Sequence, residues 1–118
     1  MSKSAMSLRV FAVYLFCIGA ILVLTPNTLL FFFRLPETNE VWIRIVGVLI
    51  FILGYYYFMA SGKELLDFYR WTVHARLLVL VFSLVFVILG LAPPVLILFG
   101  VIDAVAALWT ASCLRKEA

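Results

Sequence analysis

Long apolar runs alternate with short polar stretches along this chain, and their lengths predict four membrane-crossing helices. A helix needs about 20 apolar residues to cross about 30 Å of hydrocarbon. The runs predict spans at residues 8–25, 41–60, 75–92 and 95–113. Pro26 interrupts the chain after the first span, and Pro93-Pro94 predicts a tight turn before the last, because proline cannot sit inside a hydrogen-bonded helix. The expected fold is an all-α, integral membrane four-helix bundle forming one domain over residues 1–118.

Three segments leave alternatives open. Residues 29–33 are apolar but too few to cross a bilayer, so they either lie along the interface or continue the first helix. Residues 61–75 (SGKELLDFYRWTVHA) have apolar positions close to helical spacing, which predicts an amphipathic surface helix or the first turns of the third span. The first span has a basic start but no small-x-small cleavage site, so we expect a retained helix rather than a signal peptide.

Composition places most of the chain in lipid. Hydrophobic residues make up 67% and charged residues 13% of the sequence, and the mean hydropathy is +1.22. Soluble domains are about 45–50% apolar and about 25% charged, and a short soluble chain cannot bury this much apolar surface. A soluble enzyme, a disordered chain and a nucleic-acid-binding domain are therefore poor interpretations. The expected partners are membrane lipids and other membrane subunits, or further copies of this chain.

The cations are distributed unevenly between the two sides of a four-span protein. Four spans put both termini and the middle loop on one side, and two short hairpins on the other. The first side carries Lys3, Arg9, Lys63, Arg70, Arg76, Arg115 and Lys116, and the second carries Arg34 and Arg44. Because cytoplasmic loops are enriched in Lys and Arg, both termini are predicted to be cytoplasmic.

Two charges lie inside predicted spans, where lipid penalises them. Arg44 lies close to the outer end of the second span, and Asp103 lies about two turns into the fourth from the same side. Arg44 shares a helix face with Gly47, and Asp103 shares one with Gly100 and Ala107. Small residues mark helix contacts in membranes. We predict an intramembrane Arg44–Asp103 pair, which either locks two helices together or belongs to a ligand or proton site.

A second polar cluster, Arg70, His74 and Arg76, is predicted at the cytoplasmic end of the third span. Arg70 and His74 are four residues apart and share a helix face. One interpretation is a basic collar that faces lipid phosphates. The other is a polar pocket for an anionic headgroup or a quinone ring.

The sequence offers little for catalysis or for a cofactor. A single histidine cannot supply two axial haem ligands, and no residues have the spacing of a metal site. Cys17 and Cys113 each lie in or beside an apolar run, which favours packing roles over a disulfide. Ser83 has no partner base at a recognisable spacing. We therefore expect no enzyme activity, no cofactor and no metal.

Several of these residues recur in a known pattern. The residues are Pro26, Leu29-Leu30 and Leu35-Pro36, then Trp42-Ile43-Arg44-Ile45-Val46-Gly47 and Gly54, then Ala75-Arg76-Leu77, Pro93, Gly100 and Asp103. This pattern resembles the small bacterial DoxX-like membrane proteins and related uncharacterised four-helix families. The resemblance implies a compact four-helix bundle in a bacterial inner membrane. Some relatives are linked to quinone or sulfur redox chemistry.

Three functions follow as hypotheses. The first is a non-enzymatic accessory or scaffolding subunit of a membrane assembly, since the chain has no catalytic constellation and carries small-residue packing faces. The second is a carrier or binding protein for a lipophilic or anionic ligand, which would use Arg44, Asp103 and Arg76. The third is a quinone-linked redox subunit.

Overall fold

A computed structural model describes residues 2–117, and every regular element in that range is a helix. The helices are α1 (Lys3–Leu24), α2 (Pro26–Phe32), α3 (Val41–Ser61), α4 (Leu66–Ile88) and α5 (Leu96–Glu117). The four long helices, α1, α3, α4 and α5, are each long and apolar enough to cross a membrane. The predicted all-α class is confirmed, and the four helices fit a multi-pass membrane protein.

Two of the segments for which the sequence left alternatives are largely helical. Residues 66–75 form the first turns of α4, so the third long helix begins well before the predicted span start at residue 75. Residues 26–32 form the separate short helix α2. Pro26 stands in its first turn, where a missing N–H costs nothing. Arg34 ends this helix with φ of 56°, and the amide of Leu35 donates to the Leu30 carbonyl at 2.8 Å, as in a Schellman cap.

The contacts divide the chain into two units. Residues 9–59 form the first unit, which holds most of α1 together with α2 and α3. The described part of the second unit comprises residues 2–8 and 60–117, which hold the start of α1 together with α4 and α5.

Glycines bring two backbones into contact in the first unit. A Cβ atom on Gly19 would lie 2.7 Å from the Phe51 nitrogen and 2.8 Å from the Gly47 carbonyl oxygen. A Cβ atom on Gly47 would lie 2.9 Å from the Gly19 carbonyl oxygen. Membrane helices associate through such small residues, because close backbone approach replaces the hydrophobic force that lipid removes. The α1–α3 contact therefore depends on glycine at both positions.

A close helical hairpin of α4 and α5 forms most of the second unit. Gly90, with φ of 75°, terminates α4, and the Leu91 amide donates to the Phe86 carbonyl at 2.9 Å. A Cβ atom on Gly100 of α5 would lie 2.9 Å from Cα of Leu80 on α4. Further along α5, Ala107 is fully buried. The small-residue face predicted for the last helix is thus the face that packs.

Hydrogen bonds join the N-terminal segment to the residue pair that flanks this hairpin in the chain, Glu64 before α4 and Glu117 at the end of α5. The Ser2 hydroxyl accepts the Ala5 amide at 3.1 Å, which is the bond of a helix N-cap. The Ser2 amide and hydroxyl donate to the Glu64 carboxylate at 2.8 and 2.7 Å. The Ser4 amide and hydroxyl donate to the Glu117 carboxylate at 3.0 and 2.6 Å. We call the four bonds to Glu64 and Glu117 the N-terminal clasp; they bring both ends of the described chain to one end of the second unit.

Candidate ligand-binding site

Arg44 lies in the first turn of α3 and caps the end of α1. Its guanidinium donates from Nη1 to the carbonyl oxygen of Val23 and, at 3.5 Å, to that of Leu24. The last four carbonyls of a helix have no intrahelical partner, and α1 stops at Leu24 just before Pro26. A cation at these carbonyls also complements the negative end of the helix dipole. Arg44 therefore has a structural partner within its own unit.

Asp103 faces a different arginine within the α4–α5 hairpin. The carboxylate is partly buried, and the charge of Arg76 acts on it. Arg76 is only 2% exposed, and it donates to the carbonyl and the hydroxyl of Thr72, each at 3.2 Å. Arg44 belongs to the first unit and Asp103 to the second. The Arg44–Asp103 pair therefore stays a prediction.

A basic groove lies along the hairpin near the end that carries the clasp. Its volume is about 270 Å³, and it is lined by Arg70, Val73 and His74 of α4 with Ala111, Leu114 and Arg115 of α5. We call this the α4–α5 groove. The predicted neighbours Arg70 and His74 do share it. Arg76, the third member of the predicted cluster, is instead buried within the hairpin.

Arg115 is the groove residue that the sequence pattern missed. It lies far from Arg70 along the chain and reaches the groove only because α5 folds back against α4. The available signal was the pair of cations in the last turn of α5, Arg115 and Lys116. Such cations usually offset the helix dipole, so nothing marked one of them as part of a binding site.

Arg70 also borders a second hollow, near the start of α4. This hollow, of about 600 Å³, is lined by residues 64–68, Arg70 and Trp71. From there Asp67 forms an ion pair with Arg70, with 3.0 Å between Oδ1 and Nη1. The side chains are 82% and 51% exposed, respectively. Arg70 therefore lines the groove and is at the same time paired with a carboxylate.

The groove combines the features that suit an anionic amphiphile. Arginine presents a planar fork of donors that matches a phosphate or carboxylate, and the imidazole of His74 adds a further donor. Val73, Ala111 and Leu114 supply apolar surface beside these groups. A ligand with a negative head and a hydrocarbon portion would satisfy both parts of this lining.

The structure of residues 2–117 also places the residues considered above for other chemistry. No group of three or more His, Cys, Asp or Glu residues that could hold a metal occurs there. The Ser83 hydroxyl donates to the Val79 carbonyl at 2.8 Å, as serine commonly does within a helix. Cys17 and Cys113 are free cysteines.

Comparison with protein-family models, with curated proteins and with solved structures finds no match to this chain. The resemblance to the DoxX-like proteins thus stays a prediction.

Proposed function

We propose that this chain is a multi-pass membrane protein that binds an anionic amphiphile in the α4–α5 groove. The observation that carries this proposal is the convergence of Arg70, His74 and Arg115 beside apolar side chains of the same two helices. Two arginines on separate helices can engage one anionic group from both sides. The role belongs to the binding-protein class of hypotheses, with the groove in place of the Arg44–Asp103 pair.

The position of the groove along the helices supports a ligand at the membrane boundary. Arg70 lies one turn from the start of α4, and Arg115 lies in the last turn of α5. Cationic side chains near the ends of spanning helices reach the level of lipid headgroups. With the predicted orientation, this boundary is the cytoplasmic one.

The deeper charges then have a supporting role. Arg76 and Asp103 lie further along the hairpin, where a buried cation beside a carboxylate costs less than either charge alone. Arg76 follows α4 back toward Thr72, as long cationic side chains do when they extend toward the interface. These residues hold the hairpin that forms the groove.

A binding titration in mild detergent tests the proposal. The probe is dioleoyl phosphatidylglycerol, followed by native mass spectrometry, with dioleoyl phosphatidylcholine as the zwitterionic comparison. We expect preferential binding of the anionic lipid. We expect the double variant Arg70→Gln/Arg115→Gln to weaken that binding about tenfold or more, because hydrogen bonds to charged groups each contribute about 1.5–3 kcal/mol.

The matched control is Arg34→Gln/Lys63→Gln, which removes the same charge from residues outside the groove. It should bind the anionic lipid nearly as well as the unchanged protein. Equal loss in both double variants, or no preference for the anionic lipid, would contradict the proposal.

The accessory-subunit and quinone-linked hypotheses stay predictions. Gentle purification followed by mass spectrometry of co-purifying proteins, lipids and quinones bears on both. A stable protein partner would favour the accessory role, and a co-purified quinone would favour the redox role.

A further inference from the structure

We propose that Asp67 is a built-in competitor of the groove, because its ion pair with Arg70 engages Nη1, a donor that the phosphate of a phospholipid would also use. This inference rests on the proposed function, because it concerns how the same groove is filled. It assigns Asp67 a role in setting the affinity for anionic lipids.

Arg70 lies at a position shared by two hollows. Its side chain borders both the groove and the hollow that contains Asp67. In the structure the guanidinium is engaged by the carboxylate, at 3.0 Å. A phosphate in the groove and the Asp67 carboxylate are chemically similar acceptors, so they compete for the Nη1 donor of Arg70.

The Arg70–Asp67 ion pair is easily exchanged for another partner. Both side chains are more than half exposed to the surroundings, and exposed pairs at this helical spacing contribute little to stability. Asp67 lies in the first turn of α4, where the helix dipole favours a negative charge even without an arginine. Burial therefore does not hold Asp67 and Arg70 together.

The lining of the α4–α5 groove favours a phospholipid over a soluble phosphate compound. The groove contains apolar side chains as well as cations, and it lies near helix ends that are predicted to reach the headgroup layer. A phospholipid brings a phosphate and hydrocarbon together at that depth, and its concentration in a membrane is high. A soluble phosphate compound would satisfy the cations and leave the apolar surface uncovered.

The experiment compares single variants in the same lipid titration. Asp67→Asn should lower the Kd for dioleoyl phosphatidylglycerol about two- to fivefold, because it removes a weak competing ion pair. Asp67→Glu keeps the negative charge, so its Kd for this lipid should be closer to that of the unchanged protein than the Kd of Asp67→Asn is. The key comparison is Asp67→Asn combined with Arg70→Gln, which should bind no better than Arg70→Gln alone.

A control separates this effect from a general change in charge. Glu64→Gln removes a carboxylate from the same hollow, but Glu64 bonds to Ser2 and has no part in the Arg70–Asp67 pair. This control should change the Kd for the lipid far less than Asp67→Asn does. Equal tightening by both variants would overturn the proposal.

The outcomes distinguish this inference from the proposed function. If Asp67→Asn has no effect while Arg70→Gln/Arg115→Gln still loses the lipid, the competitor role is wrong and the groove stands. If the double arginine variant binds normally, both proposals are wrong. Millimolar glycerol 3-phosphate should not displace the lipid, and displacement would show that a soluble phosphate is the preferred occupant.

Discussion

Arg44 shows how one charged side chain in a membrane helix can serve the backbone of a neighbouring helix. The end of α1 leaves carbonyl oxygens that have no partner within the helix, and the guanidinium of Arg44 donates to two of them. The sequence marked Arg44 as unusual because of its depth. It did not identify this partner, because the need for a donor arises only where α1 ends beside α3.

Replacing Arg44 by Gln should lower the free energy of unfolding by about 1–2 kcal/mol, because it removes charge-assisted hydrogen bonds at the end of α1. Unfolding by denaturant in detergent micelles would measure this loss of stability, with Arg34→Gln as the control.

A double-mutant cycle that combines Arg44→Gln with Asp103→Asn tests the predicted Arg44–Asp103 pair. Additive losses are expected if Arg44 serves only as the cap, whereas strong coupling would support the Arg44–Asp103 interaction.

At the scale of elements, the lengths of the apolar runs predicted the four long helices, but the sequence left two alternatives for the turns at the start of α4. The first turns of α4 contain both apolar and polar residues. Tyr69 and Val73 are buried, whereas Asp67, Arg70 and His74 are exposed. A span defined by continuous apolar sequence excludes such turns, although they carry half of the groove. The other half comes from α5, and a single sequence does not reveal how the two helices are aligned.

The α1–α3 contact gives a graded prediction. Gly19→Ala and Gly47→Ala place a methyl group within 2.9 Å of backbone atoms, so the helices must separate, at a cost of about 1–3 kcal/mol. Gly54→Ala should cost less, since its nearest neighbour would lie at 3.1 Å. Unfolding in detergent would rank the three variants. An equal loss at all three positions would contradict the crossing at Gly19 and Gly47.

At the scale of the whole molecule, the N-terminal clasp links the start of α1 to the segment before α4 and to the end of α5. Ser7 extends this connection, because its hydroxyl lies 2.7 Å from that of Thr110 on α5. The clasp could not be predicted from the sequence, because serine and glutamate are common near any solvated chain terminus. Glu64 has φ of 51°, and this left-handed conformation of a non-glycine residue is held by its surroundings.

The clasp makes stability depend on pH in a direction that can be derived. The amide of Ser2, followed by its hydroxyl, holds the pKa of the Glu64 carboxyl below its ordinary value, because both donors favour the charged form. The folded chain therefore binds this proton less readily than the unfolded chain. The contribution of Glu64 is complete above the ordinary glutamate pKa of about 4.3 and is lost as the pH falls through the lower folded value.

Thermal unfolding between pH 6 and pH 3 would measure this loss. Glu64→Gln should show a smaller decrease in Tm over that range than the unchanged protein, because its amide does not titrate. Glu40→Gln, in the segment before α3, should keep the full decrease and serves as the control. An identical decrease in Glu64→Gln and the unchanged protein would mean that Glu64 does not link stability to pH, and that the Ser2–Glu64 bonds do not persist in solution.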